Sequence, residues 1–175
     1  MFIIETERLI VRKLLPGDEE AFFLLNSDEE IMRYIRPVKN REESDLFFKE
    51  VLSKADEDPL FGRWMVFQKK SGDFIGTFSI IPFQDSGKMH MGYALLSTQW
   101  GNGYATELTF AGLEYVFTKT DLHLVYAYTE EPNQASQKVL LKTGFIQSGS
   151  IPEEEKLLIE FRMTKEEYKS KKLLR

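Results

Sequence analysis

The sequence predicts a mixed α/β fold in which helices flank a single, mostly antiparallel sheet. Two observations carry that prediction. The spacing of apolar residues alternates from Arg8 to Leu14, is helical from about residue 18 to 55, returns to alternation from residue 63 to the mid-nineties, and then switches between the two periods. The resulting order is strand, helices, three antiparallel strands, helix, strand, helix and strands, which departs from strict βαβ repetition. With 175 residues, 42% of them hydrophobic, the chain reads as one domain spanning 1–175 with a sizeable core.

The elements follow in order. RLIVRKL, from Arg8 to Leu14, alternates through Leu9, Val11 and, less cleanly, Lys13, and stops at Pro16-Gly17, so it is a strand. Asp18 is placed to cap EEAFFLLNS, whose first turn is acidic. Two more helical pieces run about Glu29 to Ile35 and Arg41 to Ala55; the second carries Leu46, Phe47 and Val51 near helical spacing and has Asn40 or Ser44 as its cap. RWMVFQK and DFIGTFSIIPF flank Lys70-Ser71-Gly72, a hairpin in which Gly72 supplies the positive φ, and KMHMGYALL from Lys88 is the third strand. A helix from Asn102 or Tyr104 to Phe117 sets Leu108, Ala111, Leu113, Val116 and Phe117 on one face. LHLVYAYT is a strand from Leu122, NQASQKVLLKTGF is a short helix from Asn133 closed by Gly144, and FIQSGSI with KLLIEFRMT forms a terminal strand pair.

Composition excludes several classes. Against 23 basic residues stand 28 acidic ones, so the net charge of −5 offers no footprint for nucleic acid. Without cysteine there is no disulfide framework or thiolate metal site, and two histidines are too few for an all-histidine zinc centre, so no metal is expected. Charges at Glu5, Glu7 and Arg8 interrupt any leader-like apolar run, and no stretch is long enough to span a membrane. A cytoplasmic protein with no membrane partner is the expectation.

The stretch STQWGNGYATELTF, from Ser97 to Phe110, sets two glycines one residue apart before a helix. The first-turn amides of a helix lack intrahelical partners and carry the positive end of the macrodipole, so this junction suits an anion. Amides of Gly101, Asn102, Gly103, Ala105 and Thr106 are then placed to cradle a phosphate or pyrophosphate. An ordinary glycine turn is the competing reading. A P-loop is excluded because YAT follows the second glycine where GK[ST] is needed, and a dinucleotide fingerprint because position 106 is Thr.

Taken together, ETERLIVRKLLPGDEEAFFLL, GYALLSTQWGNGYATE and EEPNQASQKVLLKTGF, in that order and at those separations, resemble the GNAT superfamily of N-acetyltransferases, and within it the RimJ/RimL-like branch. The resemblance covers nearly the whole chain. It implies that Trp100 to Ala105, including Tyr104, binds the pyrophosphate of acetyl-CoA through backbone amides, that the pantetheine arm runs along Leu95 and Leu96 where the sheet splays, and that Asn133 hydrogen-bonds the cofactor. The superfamily asks for Gln or Arg where this chain has Trp100. It also has a tyrosine acid where this chain has Leu140, while Ser136 matches a serine of the RimL branch.

Acetyl transfer to an amine needs a deprotonated nitrogen, because a lysine-like amine of pKa about 10.4 is almost wholly protonated near neutrality. His90 is the candidate base, directly or through water, with an ordinary strand histidine at a cleft rim as the alternative. Ser136 is the candidate acid, acting as a hydrogen-bond donor to the leaving thiolate, with a helix-surface hydroxyl as the alternative. His123 reads as structural, Glu107 as favouring its helix dipole, and Lys138 and Lys142 as a solvated face. Tyr34, Trp64, Phe78 and Tyr93 lie on elements that flank the acceptor cleft in the resembled family, where aromatic residues serve either the cleft or the core. Acidic clusters at Glu19-Glu20, Glu29-Glu30, Asp56-Glu57-Asp58 and Glu153-Glu154-Glu155 attract a cationic amine or simply keep the protein dissolved. The acceptor is a primary amine of unspecified identity and the state monomer or homodimer. A CoA-binding sensor without turnover is the rival of another class, and a nucleotide-binding module is disfavoured by the glycine pattern.

Overall fold

The computed structural model describes residues 2–55, 57–153 and 155–173, so Asp56 and Glu154 of the acidic clusters lie outside the described residues. β1 (Phe2–Glu5) and β2 (Leu9–Lys13) precede α1 (Glu19–Asn26), α2 (Glu29–Met32) and α3 (Arg41–Lys54). β3 (Gly62–Gln68), β4 (Phe74–Phe83) and β5 (Lys88–Leu95) lead through a short 3-10 turn, Ser97–Gln99, to α4 (Tyr104–Lys119). β6 (Leu124–Glu130), α5 (Gln134–Thr143), β7 (Ile146–Glu153), β8 (Lys156–Thr164) and α6 (Lys165–Lys172) follow. The strands form a mostly antiparallel eight-stranded sheet of order β1-β2-β3-β4-β5-β6-β8-β7, with β5 and β6 parallel. The mixed α/β expectation is met.

The chain divides into two compact units, one built from Met1–Ile80 and Tyr93–Tyr104, the other from Ile81–Gly92 and Ala105–Arg175. In the first, β2 pairs with β3 and β3 with β4, and Leu14, Phe22, Phe48 and Met65 meet in a core cluster. Each such side chain contributes about 1.5–3 kcal/mol on burial, which is what holds α1 and α3 on the strands. A second cluster joins Leu25, Ile31 and Met32 of α1 and α2 to Ala94 at the end of β5, with Leu96 packed against it. Trp64 and Phe78, opposite one another on β3 and β4, stack at 6.1 Å and are 3% and 1% exposed, so both are core rather than cleft residues.

Local chemistry explains where elements begin. Asn40, of the two cap candidates, closes a capping box with Glu43. Asp18 occupies the N-cap position of α1 but makes no capping bond; its carboxylate accepts a charge-assisted fork from Arg12 at 2.7 and 2.8 Å and the Leu15 amide at 2.8 Å, so it is held toward the strand side. Helix α2 ends at Met32, three residues before the sequence suggests. At Gly76 an added Cβ would lie 2.1 Å from the Ala94 carbonyl oxygen, so β4 admits only glycine there.

In the second unit β6 alternates, burying Val125, Ala127 and Thr129 while Tyr126 and Tyr128 stay half-buried on the opposite face. β8 pairs with β6 over seven rungs, from Leu124↔Thr164 to Glu130↔Leu158. Asn133 caps α5 and Gly144 closes it in the left-handed region, as the sequence suggests. Two elements go beyond the sequence expectation: β1, and α6, which opens on a capping box between Thr164 and Glu167 and packs Tyr168 5.2 Å from Phe117.

Candidate active site

Gly101 and Gly103 take φ of +78° and +79°, so the loop before α4 needs two left-handed residues, which only glycine adopts without strain. Residues 101 to 103 are exposed, and nothing lies within 4 Å of where a Gly101 Cβ would project. Among the described residues the N–H groups of Gly101, Asn102 and Gly103 meet no acceptor. Three consecutive donors on a loop that opens a 16-residue helix make a pre-formed cradle for an anion, and the residues present fit a pyrophosphate. The glycines make a turn, and that turn leaves three successive amides without an acceptor among the described residues.

The strand end before the loop is more occupied than the sequence shows. Trp100, where the superfamily has Gln or Arg, donates from Nε1 to the Leu95 carbonyl at 2.9 Å. Leu96 donates to the Ile75 carbonyl at 2.9 Å and accepts from Gln99 at 2.9 Å. A carbonyl has two lone pairs, so the oxygens of Leu95 and Leu96 keep a second acceptor site, whereas the Leu96 amide is committed.

On α5, the Asn133 side-chain oxygen accepts from the Ser136 amide at 3.2 Å, so its cap fixes the first turn on which Ser136 sits. Leu140, one turn on, is 3% exposed and belongs to the core, which leaves no hydroxyl at the position where a tyrosine acid stands in the resembled superfamily. His90, half-buried on β5, opposes Tyr126 across the parallel pair. Its ring lies edge-on to Phe83 at 5.5 Å and to Tyr128 at 5.7 Å, and those two rings stack at 3.8 Å. His90 and Ser136 stand on separate elements, each with its own neighbours.

Comparison with known proteins decides the family. The model of the acetyltransferase (GNAT) domain family matches residues 8–146. The chain belongs to that family. It is an acetyltransferase. It is 29% identical over 150 residues to the uncharacterized N-acetyltransferase YoaA of Bacillus subtilis, covering 84% of each chain. A GNAT-family acetyltransferase from Bacillus anthracis superposes with a TM-score of 0.82 at 25% identity, over 95% of this chain and 99% of that one. RimL, the ribosomal L7/L12 alpha-N-protein acetyltransferase in complex with coenzyme A, shares the fold with a TM-score of 0.80 at 15% identity, over 94% and 98%.

The acetyltransferase carries residues near these sites that its sequence does not single out. Arg8, between β1 and β2, donates from Nη1 to the Asn102 carbonyl at 2.9 Å and lies 4.6 Å from the Tyr104 ring centre. In the second unit Glu160 accepts from Lys88 at 2.5 Å, Tyr128 at 3.1 Å and Ser148 at 2.9 Å. Burial opposes ionisation of Glu160, but those three donors and the Lys88 charge prevail and hold its pKa below the ordinary value; burial and the Glu160 contact push the Tyr128 phenol up. Tyr128 is thus a neutral donor beside His90. Only the strand register could reveal this set, since Tyr128 and Glu160 are opposed on β6 and β8.

The remaining candidates fall out simply. His123 is exposed and its carbonyl accepts from the Lys165 amide at 2.9 Å, a structural contact at the start of α6. Lys138 and Lys142 are exposed. Among the described residues no helix is long and apolar enough to cross a membrane, and no group of three His, Cys, Asp or Glu is placed to hold a metal.

Proposed function

We propose that this GNAT protein, acting as one domain over residues 1–175, is an acetyl-CoA-dependent N-acetyltransferase of the RimJ/RimL-like branch. It moves acetyl to a primary amine, either a protein N-terminal α-amine or a small-molecule amine, by direct attack in a ternary complex. The observation that carries the reading is the run of three outward amides at Gly101, Asn102 and Gly103. Those donors, continued by Ala105 and Thr106 at the helix start, hold the pyrophosphate, and the carbonyls of Leu95 and Leu96 meet the pantetheine amides.

Bound acetyl-CoA supplies an activated thioester. The protein supplies position, proton transfer and a donor: the loop fixes the carbonyl for attack, His90 accepts the amine proton, and Ser136 gives a hydrogen bond to the departing sulfur. Lacking cysteine, the chain has no thiol to form an acetyl-enzyme, which supports direct attack.

Thermal unfolding with and without acetyl-CoA tests this, since a ligand of the native state at 100 times its Kd adds about 2.7 kcal/mol of stability. A shift that Gly103→Asp abolishes without unfolding the apo protein is expected; no shift at millimolar acetyl-CoA overturns the reading. The buried Leu140 favours one second reading, a CoA-binding sensor, which predicts binding without thiol release across an amine panel.

A further inference from the structure

Arg36, Lys39 and Arg63 converge on one ring, that of Phe47. Their charged atoms lie 5.1, 5.2 and 5.6 Å from its centre, with Arg36 and Lys39 in the connection between α2 and α3 and Arg63 on β3. Other arginines of the same unit that cover rings have named partners: Arg12 over Phe67 binds Asp18 at 2.7 Å, Arg41 over Phe23 binds Glu20 at 2.5 Å and Asp45 at 3.0 Å, and Arg8 over Tyr104 donates to the Asn102 carbonyl at 2.9 Å. Among the described residues, Arg36, Lys39 and Arg63 form no ion pair and donate no side-chain hydrogen bond. Glu50 feels the Lys39 charge only at longer range, and Lys54 holds it at 2.7 Å.

This arrangement costs stability. All three side chains are half-buried, and a ring face offsets only part of the loss of water around a guanidinium. Burial lowers the Arg36 pKa, and burial with the neighbouring Arg36 charge lowers that of Arg63 to about 9. A chain of net charge −5 has carboxylates to spare, yet among the described residues none pairs with these three cations. Two planar forks and one ammonium, held together with their donors unused, match the oxygens of a carboxylate or phosphate.

The place of the cluster indicates which molecule carries that group. Ile31 and Met32 of α2 pack with Ala94 and Leu96, the strand end assigned above to pantetheine, and the Arg36 amide donates to the Met32 carbonyl at 3.2 Å. Arg36 is therefore anchored one turn from Met32, which packs with the strand end, and Lys39 and Arg63 join it at the Phe47 ring. We infer that Arg36, Lys39 and Arg63 form a subsite for an oxyanion, carboxylate or phosphate, borne by the acceptor amine. The acceptor is then an amine with an acidic group rather than a polycation. This inference rests on the transferase reading for its acceptor but not for its anion.

The test uses the full chain, wild type, Arg36→Gln and Arg63→Met, unfolded thermally in inorganic phosphate and in succinate against sodium chloride of equal ionic strength. The expected result is a saturable stabilisation of the wild type that both variants lose, with apo Arg63→Met unfolding at or above the wild-type temperature because a repelling charge is gone. No saturable response, or an equal one in the variants, overturns the site; so does an apo Arg63→Met that unfolds earlier while Arg36→Gln keeps the response. Kinetics with an amino acid and its carboxamide then identify the source: KM should be about tenfold or more lower for the acid, and Arg36→Gln should erase that difference. Anion binding without this preference overturns the acceptor assignment in favour of a free anion. An acetyl-CoA shift measured on the same samples tells failure of the transferase reading from failure of the subsite.

Discussion

Arg8 and Asn102, 94 positions apart, are joined by a 2.9 Å hydrogen bond from the Arg8 Nη1 to the Asn102 carbonyl. The same guanidinium covers the Tyr104 ring, so it holds the carbonyl side of the loop whose amide side faces out. Arg8→Ala should raise KM for acetyl-CoA about ten- to a hundredfold, the usual worth of a hydrogen bond to a charged group, with KM for the amine and kcat little changed. Arg8→Lys should recover part of the loss. Steady-state kinetics in both substrates check this, and a fall in kcat alone would contradict it.

Gly76 is fixed by a steric fact rather than by a turn. An alanine Cβ at this position would fall 2.1 Å from the Ala94 oxygen, and φ is +154°, so Gly76→Ala must push β5 away from β4 and adopt a strained backbone. Overpacking and strain together should cost about 2–5 kcal/mol. Urea unfolding should show a lower midpoint with an unchanged slope.

How much of the molecule is legible in its sequence depends on the range of the interaction. The turn at Gly72, the cap at Asn40 and the closing Gly144 are local, and the sequence shows them. Asp18 misleads because its rival partner, Arg12, stands on the strand before it, and a helix-cap pattern carries no information about such a pair. Trp64 and Phe78 look alike as cleft or core until the β3–β4 register stacks them. Arg8, Glu160 and the three cations around Phe47 are set by packing between elements far apart in sequence, and no spacing rule reaches them. Helix α6 is legible in principle through Thr164 and Glu167, but its exposed, charged sequence has no apolar period.

His90 and Ser136 divide the proposed chemistry, and their variants should differ. His90→Gln should lower kcat/KM and remove the acidic limb of its pH profile, because the lost step is proton removal from the amine. Ser136→Ala should lower kcat by a smaller factor and leave the profile's shape intact. An unchanged acidic limb in His90→Gln would assign the base elsewhere.

Glu160 links the second unit's stability to pH. Its folded pKa lies below the ordinary 4.5 because donation from Lys88, Ser148 and Tyr128 outweighs the burial that opposes it. A carboxylate with a depressed folded pKa contributes its full stabilisation above the unfolded value and loses it as pH falls through the folded one. Glu167, also held low by Thr164 and Arg162 against burial, acts in the same direction. The wild type should therefore keep a constant Tm from neutrality to about pH 5 and lose stability steadily below it. Glu160→Gln removes one of the two contributions and leaves Lys88 without its carboxylate, costing about 1–3 kcal/mol at pH 7. Its Tm should start lower and fall less steeply on acidification, and equal slopes for variant and wild type would show that Glu160 does not carry the acid sensitivity.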